Sequence, residues 1–119
     1  MSIRTRTAAV LLSVLLVIPA VSPASALRAR GEVHPRVTVE RVRMIDNVYR
    51  PKKVTVVRGT RIRWVNRGLA SHTATANSGA WDSGLVASGD TWARTFRKAG
   101  TFRYHCTLHS AMTGVIVVT

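Results

Sequence analysis

Four side chains in this sequence can donate to a soft metal ion: His72, Cys106, His109 and Met112. Three of them share the stretch Tyr104-His105-Cys106-Thr107-Leu108-His109-Ser110-Ala111-Met112-Thr113-Gly114, spaced as Cys-x-x-His-x-x-Met. Cys106 is the chain's one cysteine. A thiolate, two imidazoles and a thioether form the donor set of a copper electron-transfer centre. Structural zinc sites use a different set, all cysteine or Cys/His pairs. Four side-chain donors also leave no open position, whereas catalytic metals keep one for water or substrate. No nucleophile–base pair is needed to explain these residues, and no enzymatic activity is expected.

A lone cysteine has two plainer explanations, a buried inert thiol or half of a dimer disulfide. Metal ligation explains it better, because the other donors lie at short fixed spacings from it. His105 alternates onto the strand face opposite Cys106 and is not expected to join the same metal. His34 lies in a polar lead-in and carries no evident role.

These donors need a rigid support, and the chain reads as short strands with no helical stretch of convincing length. Thr60 to Val65 sets Ile62 and Trp64 against Arg61 and Arg63, the period of two expected of a half-buried strand. Thr101 to Cys106 sets Phe102, Tyr104 and Cys106 on one face, which aims the cysteine sulfur at the core from the strand's end. Further strands are expected at Arg36 to Asp46, Lys52 to Val57, Ser71 to Ala76 (carrying His72), Thr91 to Phe96 and Val115 to Val118. In the first of these, the change of parity between Val39 and Val42 predicts a bulge or a switch of facing. Asn47 to Pro51 reads as a turn-rich crossover. The glycine- and serine-rich segment Asn77 to Ala87 is expected to be held by Trp81 and Leu85. Short strands with turns every eight to twelve residues or so imply an all-β, two-sheet antiparallel sandwich.

The N-terminus has a different character. Arg4 and Arg6 precede an apolar run from Ala8 to Ala20, and Ala24-Ser25-Ala26 has the form of a signal-peptidase site. The apolar run is short for a membrane span. Residues 1–26 are therefore expected to be a signal peptide, 27–36 a flexible lead-in and 37–119 the folded domain, with no integral membrane segment after cleavage. An exported location follows: secreted, periplasmic or attached to the cell envelope. A single domain of this size is marginal unless stapled or metal-bound, and one cysteine allows no internal disulfide.

The chain has 18 Lys+Arg against 5 Asp+Glu, a formal charge of +13. Nucleic acid is not the expected partner, because the arginines are spread along strand-like segments rather than gathered on a recognition element. A polyanionic cell envelope or an acidic redox protein suits the charge better, and a solvated basic surface with no specific partner suits it equally well.

The region from Val37 to Thr119 resembles the small blue (type 1) copper proteins of the plastocyanin/amicyanin family. The likeness rests on Pro51 with Val54 to Gly59, Trp64-Val65-Asn66, Ser71-His72-Thr73 and Trp81-Asp82-Ser83-Gly84. It continues through Phe96, Ala99 to Phe102, Tyr104, Cys106, His109, Met112 and Gly114 to Val118. The short spacing between His109 and Met112 is closest to that of amicyanin. This resemblance implies a cupredoxin-like Greek-key sandwich that shuttles single electrons between a protein donor and a protein acceptor, as a monomer with one copper ion. It implies His72, Cys106 and His109 as the strong ligands and Met112 as a weak axial one. It also implies Asn66 and Thr107 as hydrogen-bonding partners that lock the ligand loops, and an apolar docking patch of Leu69, Ala70, Leu108 and Ala111 around His109. Copper binding and delivery without electron transfer is the alternative role. Two family prolines are replaced here by Ser71 and Ser110, and the strongly basic charge implies a different partner from that of plant plastocyanin.

Overall fold

A computed structural model describes residues 9–20 and 35–119. Arg4, Arg6, the Ala24-Ser25-Ala26 site and His34 lie outside the described residues. The chain divides into two units, Met1–His34 and Pro35–Thr119. Residues 9–20 form no helix or strand, and their large apolar side chains are exposed. Among the described residues, no helix is long and apolar enough to cross a membrane.

The second unit is built from strands β1 (Val39–Ile45), β2 (Val48–Arg50), β3 (Lys53–Val56), β4 (Thr60–Asn66), β5 (Thr75–Ala76), β6 (Thr91–Phe96), β7 (Gly100–His105) and β8 (Thr113–Val118). They form two four-stranded sheets, ordered β2-β1-β4-β6 and β3-β8-β7-β5. The all-β two-sheet sandwich is as the alternation implied. Antiparallel pairings predominate, and each sheet also holds one parallel pair, β1 with β4 and β3 with β8.

Alternation places the core where the sequence put it. Ile62 and Trp64 of β4, Tyr104 of β7 and Ile116 of β8 are buried, while Arg61 and Arg103 face solvent. Trp64 is central: its ring meets Tyr104 edge-on at 5.5 Å and Trp92 at 5.3 Å. Truncating such a side chain typically costs about 3–5 kcal/mol. Arg94 shares the inward parity of Trp92 and Phe96, yet it lies on an edge strand. Its guanidinium sits 5.0 Å from the Trp81 ring centroid and 5.8 Å from that of Phe96, so cation–π contact replaces apolar packing there.

Four local readings need correction. β1 keeps continuous register with β4 from Val39 to Met44, so it has no bulge. Val37 and Val39 are simply exposed, while Val42 and Met44 face the core. The expected crossover at 47–51 contains a strand. Asp46 and Asn47 both take positive φ, 48° and 62°, the pattern of a type I′ hairpin turn, and β2 pairs back on β1. His72 is not on a strand; it makes an isolated bridge with Val86. Finally, Leu85 is exposed, and Val86 joins Trp81 in the core instead.

Candidate metal centre

Cys106 follows β7 directly and keeps its inward parity, because its N–H donates to the Met112 carbonyl at 3.0 Å. Met112 N–H in turn donates to the His109 carbonyl at 3.0 Å. These two bonds fold residues 106–112 into a tight loop that re-enters β8. They hold Met112 inside, at 1% exposure, while His109 stays half-buried.

His72 comes from a second loop and is fixed on both backbone sides by Val86: His72 N–H donates to Val86 O at 3.1 Å, and Val86 N–H to His72 O at 2.8 Å. The Nε2 side of its ring lies over Gly68, where an added Cβ would stand 3.6 Å from that nitrogen. Nδ1 is left facing the other loop. It is 3.2 Å from His109 Nδ1 and 4.0 Å from Cys106 Sγ, and Sγ is 3.5 Å from His109 Nδ1.

The donor atoms of His72, Cys106 and His109 all lie within 4.8 Å of one another. Metal–nitrogen bonds of about 2.0–2.1 Å and metal–sulfur bonds of about 2.3 Å would set trigonal donors roughly 3.5–3.8 Å apart. The three distances bracket that value, so the donors fit one ion. Burial first, and then the charge of His109, lower the His72 pKa from its ordinary 6.5. His72 is thus held in the neutral form that can ligate.

That lowered pKa has a consequence for the metal-free protein. As pH falls through about 6.5 the unfolded chain takes up a proton on His72 before the folded chain does. Stability from this residue is present above that pH and is lost below it. Urea midpoints at pH 7.5 and 5.5 are expected to fall on acidification, and the fall should shrink in His72→Gln. An equal fall in both proteins would show that His72 is not responsible.

The supporting hydrogen bonds differ from the expected Asn66–Thr107 partnership. Asn66 is fully buried and serves its own side of the site. Its Nδ2 donates to Ala70 O at 2.7 Å and Val86 O at 2.9 Å, and its Oδ1 accepts from Gly68 N–H at 2.9 Å. The Val86 carbonyl therefore holds both Asn66 and His72. Thr107 is tied instead to Thr73, whose Oγ1 accepts the Thr107 N–H at 2.9 Å. Thr73, next to His72 in sequence, thereby joins the two ligand loops without a direct bond between Asn66 and Thr107.

Asn66→Ala is expected to cost about 1–2 kcal/mol, because Val86 O keeps His72, and Gly68 N–H keeps a bond to Met44 O. Asn66→Asp should cost more, since it turns an acceptor toward two carbonyls. Urea denaturation of the two variants would check the order; the reverse order would refute this account of Asn66.

Two contributors had no assigned role in the sequence reading. Thr73 N–H points at Cys106 Sγ from 3.4 Å, a contact that favours sulfur carrying negative charge. The Tyr49 hydroxyl donates to the Thr73 carbonyl. Burial, followed by charge on Cys106 and Tyr104, pushes the Tyr49 phenol far above its ordinary range, so it remains a donor. Thr73 was visible only as a neighbour of His72, and Tyr49 lay in a segment read as a turn.

The remaining candidates are at the surface. Leu69 is almost fully exposed, and Leu108, Ala70 and Ala111 are exposed on the same two loops that carry the histidines. A depression of about 300 Å³ among Asp46, Asn47, Leu69 and Ala70 reaches His72. His105 stays outside the cluster, its Nδ1 2.6 Å from Asn77 Oδ1.

A family model described as a cupredoxin-like domain matches residues 9–118. The chain belongs to the cupredoxin-like family. Among curated proteins, this cupredoxin-like chain is 31% identical to amicyanin of Paracoccus denitrificans and 29% identical to that of Paracoccus versutus. Each match runs over 75 residues, 59% of this chain and 57% of the relative. The match thus spans little more than half the length of these relatives. A solved structure of the Cu(I) form of an amicyanin variant superposes with a TM-score of 0.64 at 29% identity, over 74% of this chain and 87% of that one. A purple cupredoxin from Nitrosopumilus maritimus, 20% identical, shares the fold with a TM-score of 0.62 over 66% of this chain and 98% of that one.

Proposed function

We propose that this chain is a single-electron carrier that holds one copper ion between His72 Nδ1, Cys106 Sγ and His109 Nδ1, with Met112 as a weak fourth donor. Bound there, copper would supply a Cu(I)/Cu(II) couple. The observation that carries the reading is closure: the three donors converge on one point, and Cys106, His72 and Met112 are each 2% exposed or less. Such a site has no room for a substrate, and its donors are held by the backbone bonds of two loops tied together through Thr73. Ligands that cannot move keep the same arrangement in both oxidation states, which lowers the barrier to electron exchange. The copper-bound amicyanin structure supports the same reading by likeness.

His109 is the one half-exposed ligand and offers the way out for the electron. Leu69, Ala70, Leu108 and Ala111 form the apolar surface against which donor and acceptor proteins dock, and the basic charge favours acidic partners. Residues 1–26 direct export, and the protein acts outside the cytoplasm as a monomer.

The test is to load metal-free protein with one equivalent of Cu(II) and record visible absorption and voltammetry. An intense thiolate-to-copper band and a reversible one-electron wave are expected. Absence of either sinks the carrier reading, and ready handover of Cu(I) to another protein without a reversible wave would mark copper delivery instead.

A further inference from the structure

Five arginines of residues 35–119 share the outer side of one sheet. Register places Arg43 opposite Arg50 across β1 and β2, and Arg41 beside Arg63 across β1 and β4. Arg61 extends the row along β4. All five share the outward parity of their strands; Arg41, Arg43, Arg50 and Arg61 are exposed and Arg63 is half-buried. The other outward positions at these pairings hold Val39, Ile45, Val48, Val65, Thr91, Ala93 and Thr95. Among the described residues, these outward positions hold no acidic and no aromatic side chain.

Like charges directly opposite one another destabilise a sheet, and this face has such pairs without a counter-charge. We infer that the β2-β1-β4 face is a docking surface for the anionic phospholipid headgroups of a bilayer. Guanidinium groups bind phosphate through paired N–H donors. The arginines form a two-dimensional array, three strands wide at about 4.8 Å per strand. A plane of phosphates matches such an array, whereas a linear polyanion would follow a single row. Protein partners favour an aromatic anchor at the centre of an interface, and no outward position of these pairings holds one. The face's own charge rejects a second copy. Cys106 and His109 lie beyond the end of β7, so a chain resting on this face keeps the metal centre free for redox partners.

The test is co-sedimentation of the full chain with vesicles of phosphatidylcholine alone and with vesicles containing phosphatidylglycerol. Binding to the neutral vesicles registers any insertion by the apolar residues 9–20, and the increment on anionic vesicles reads the arginine face. The increment should vanish at high salt. Each arginine is expected to contribute roughly fivefold, so replacing all five by glutamine should weaken anionic binding more than about a hundredfold. A control variant with Lys53, Arg58, Arg97, Lys98 and Arg103 replaced by glutamine loses the same charge off the face and should keep most of the increment. Relief of like-charge pairs should leave the face variant at least as resistant to urea as the parent. If the fivefold variant does not fold, Arg43→Gln with Arg50→Gln should still lose more than about tenfold. Equal binding to both vesicle types overturns the inference and leaves an acidic protein as the occupant to seek. Equal loss in face and control variants also overturns it, by reducing the effect to net charge.

Discussion

Gly114→Ala is expected to destabilise the protein by at least about 3 kcal/mol, although it adds one methyl group at a position with no positive φ. Two effects oppose each other. Alanine restricts the unfolded chain and would stabilise the fold by about 0.4–1 kcal/mol if the site could hold it. It cannot: the new Cβ would lie 2.3 Å from Tyr104 Cζ, 2.5 Å from its hydroxyl oxygen and 2.7 Å from Cε1. Tyr104 has nowhere to go, since its ring is fixed between Tyr49 at 4.6 Å and Trp64 at 5.5 Å. The clash therefore wins, and it acts where Tyr104 pairs with Gly114, next to the loop that carries Cys106 and His109. Urea midpoints should fall sharply in the single variant. Adding Tyr104→Leu to Gly114→Ala should cost much less than the two single losses together, because the ring that clashes is gone. A single variant within 1 kcal/mol of the parent would refute the argument.

The sequence made Gly114 visible only as the end of a loop; its true constraint is a ring on the neighbouring strand. The same limit runs through the fold. Period-two alternation says which side of a strand faces inward, so Ile62, Trp64, Tyr104 and Cys106 were legible from residue type alone. It does not say which strand lies alongside or in which direction. The parallel pairs β1 with β4 and β3 with β8 are contacts between distant segments and left no local mark. β2 escaped notice because it is three residues long and only Tyr49 among them is buried. His72 looked like a strand residue because it sits in a polar–apolar alternation, yet its backbone is satisfied by Val86 alone.

The metal donors were legible for a different reason: a single cysteine with histidine and methionine at short spacings has few chemical explanations, and parity supplied its direction. The supporting bonds were not. A threonine beside a ligand histidine is unremarkable in sequence, and only three-dimensional placement shows that Thr73 joins Cys106, Thr107 and, through its carbonyl, Tyr49.

Cys106→Ser is the substitution expected to separate the site from the fold most cleanly. The intense visible band of the copper-loaded protein should disappear, because it requires a thiolate. Affinity for Cu(I) should drop by more than about a hundredfold, since partners that merely orient a ligand are already worth 10–100-fold. The metal-free fold should survive, with a loss of about 1–2 kcal/mol. Serine fills nearly the same volume, and its oxygen can accept the Thr73 N–H that now points at Sγ. The plainer accounts of the lone cysteine make different forecasts. A dimer disulfide needs a sulfur within reach of a second copy, whereas Cys106 is 2% exposed. An inert core thiol would leave copper affinity unchanged on conversion to serine. Copper titration, visible spectra and urea denaturation of the same two proteins decide among them. Survival of the visible band in Cys106→Ser would remove Cys106 from the site, and collapse of the metal-free variant would show that the thiol serves the core rather than the metal.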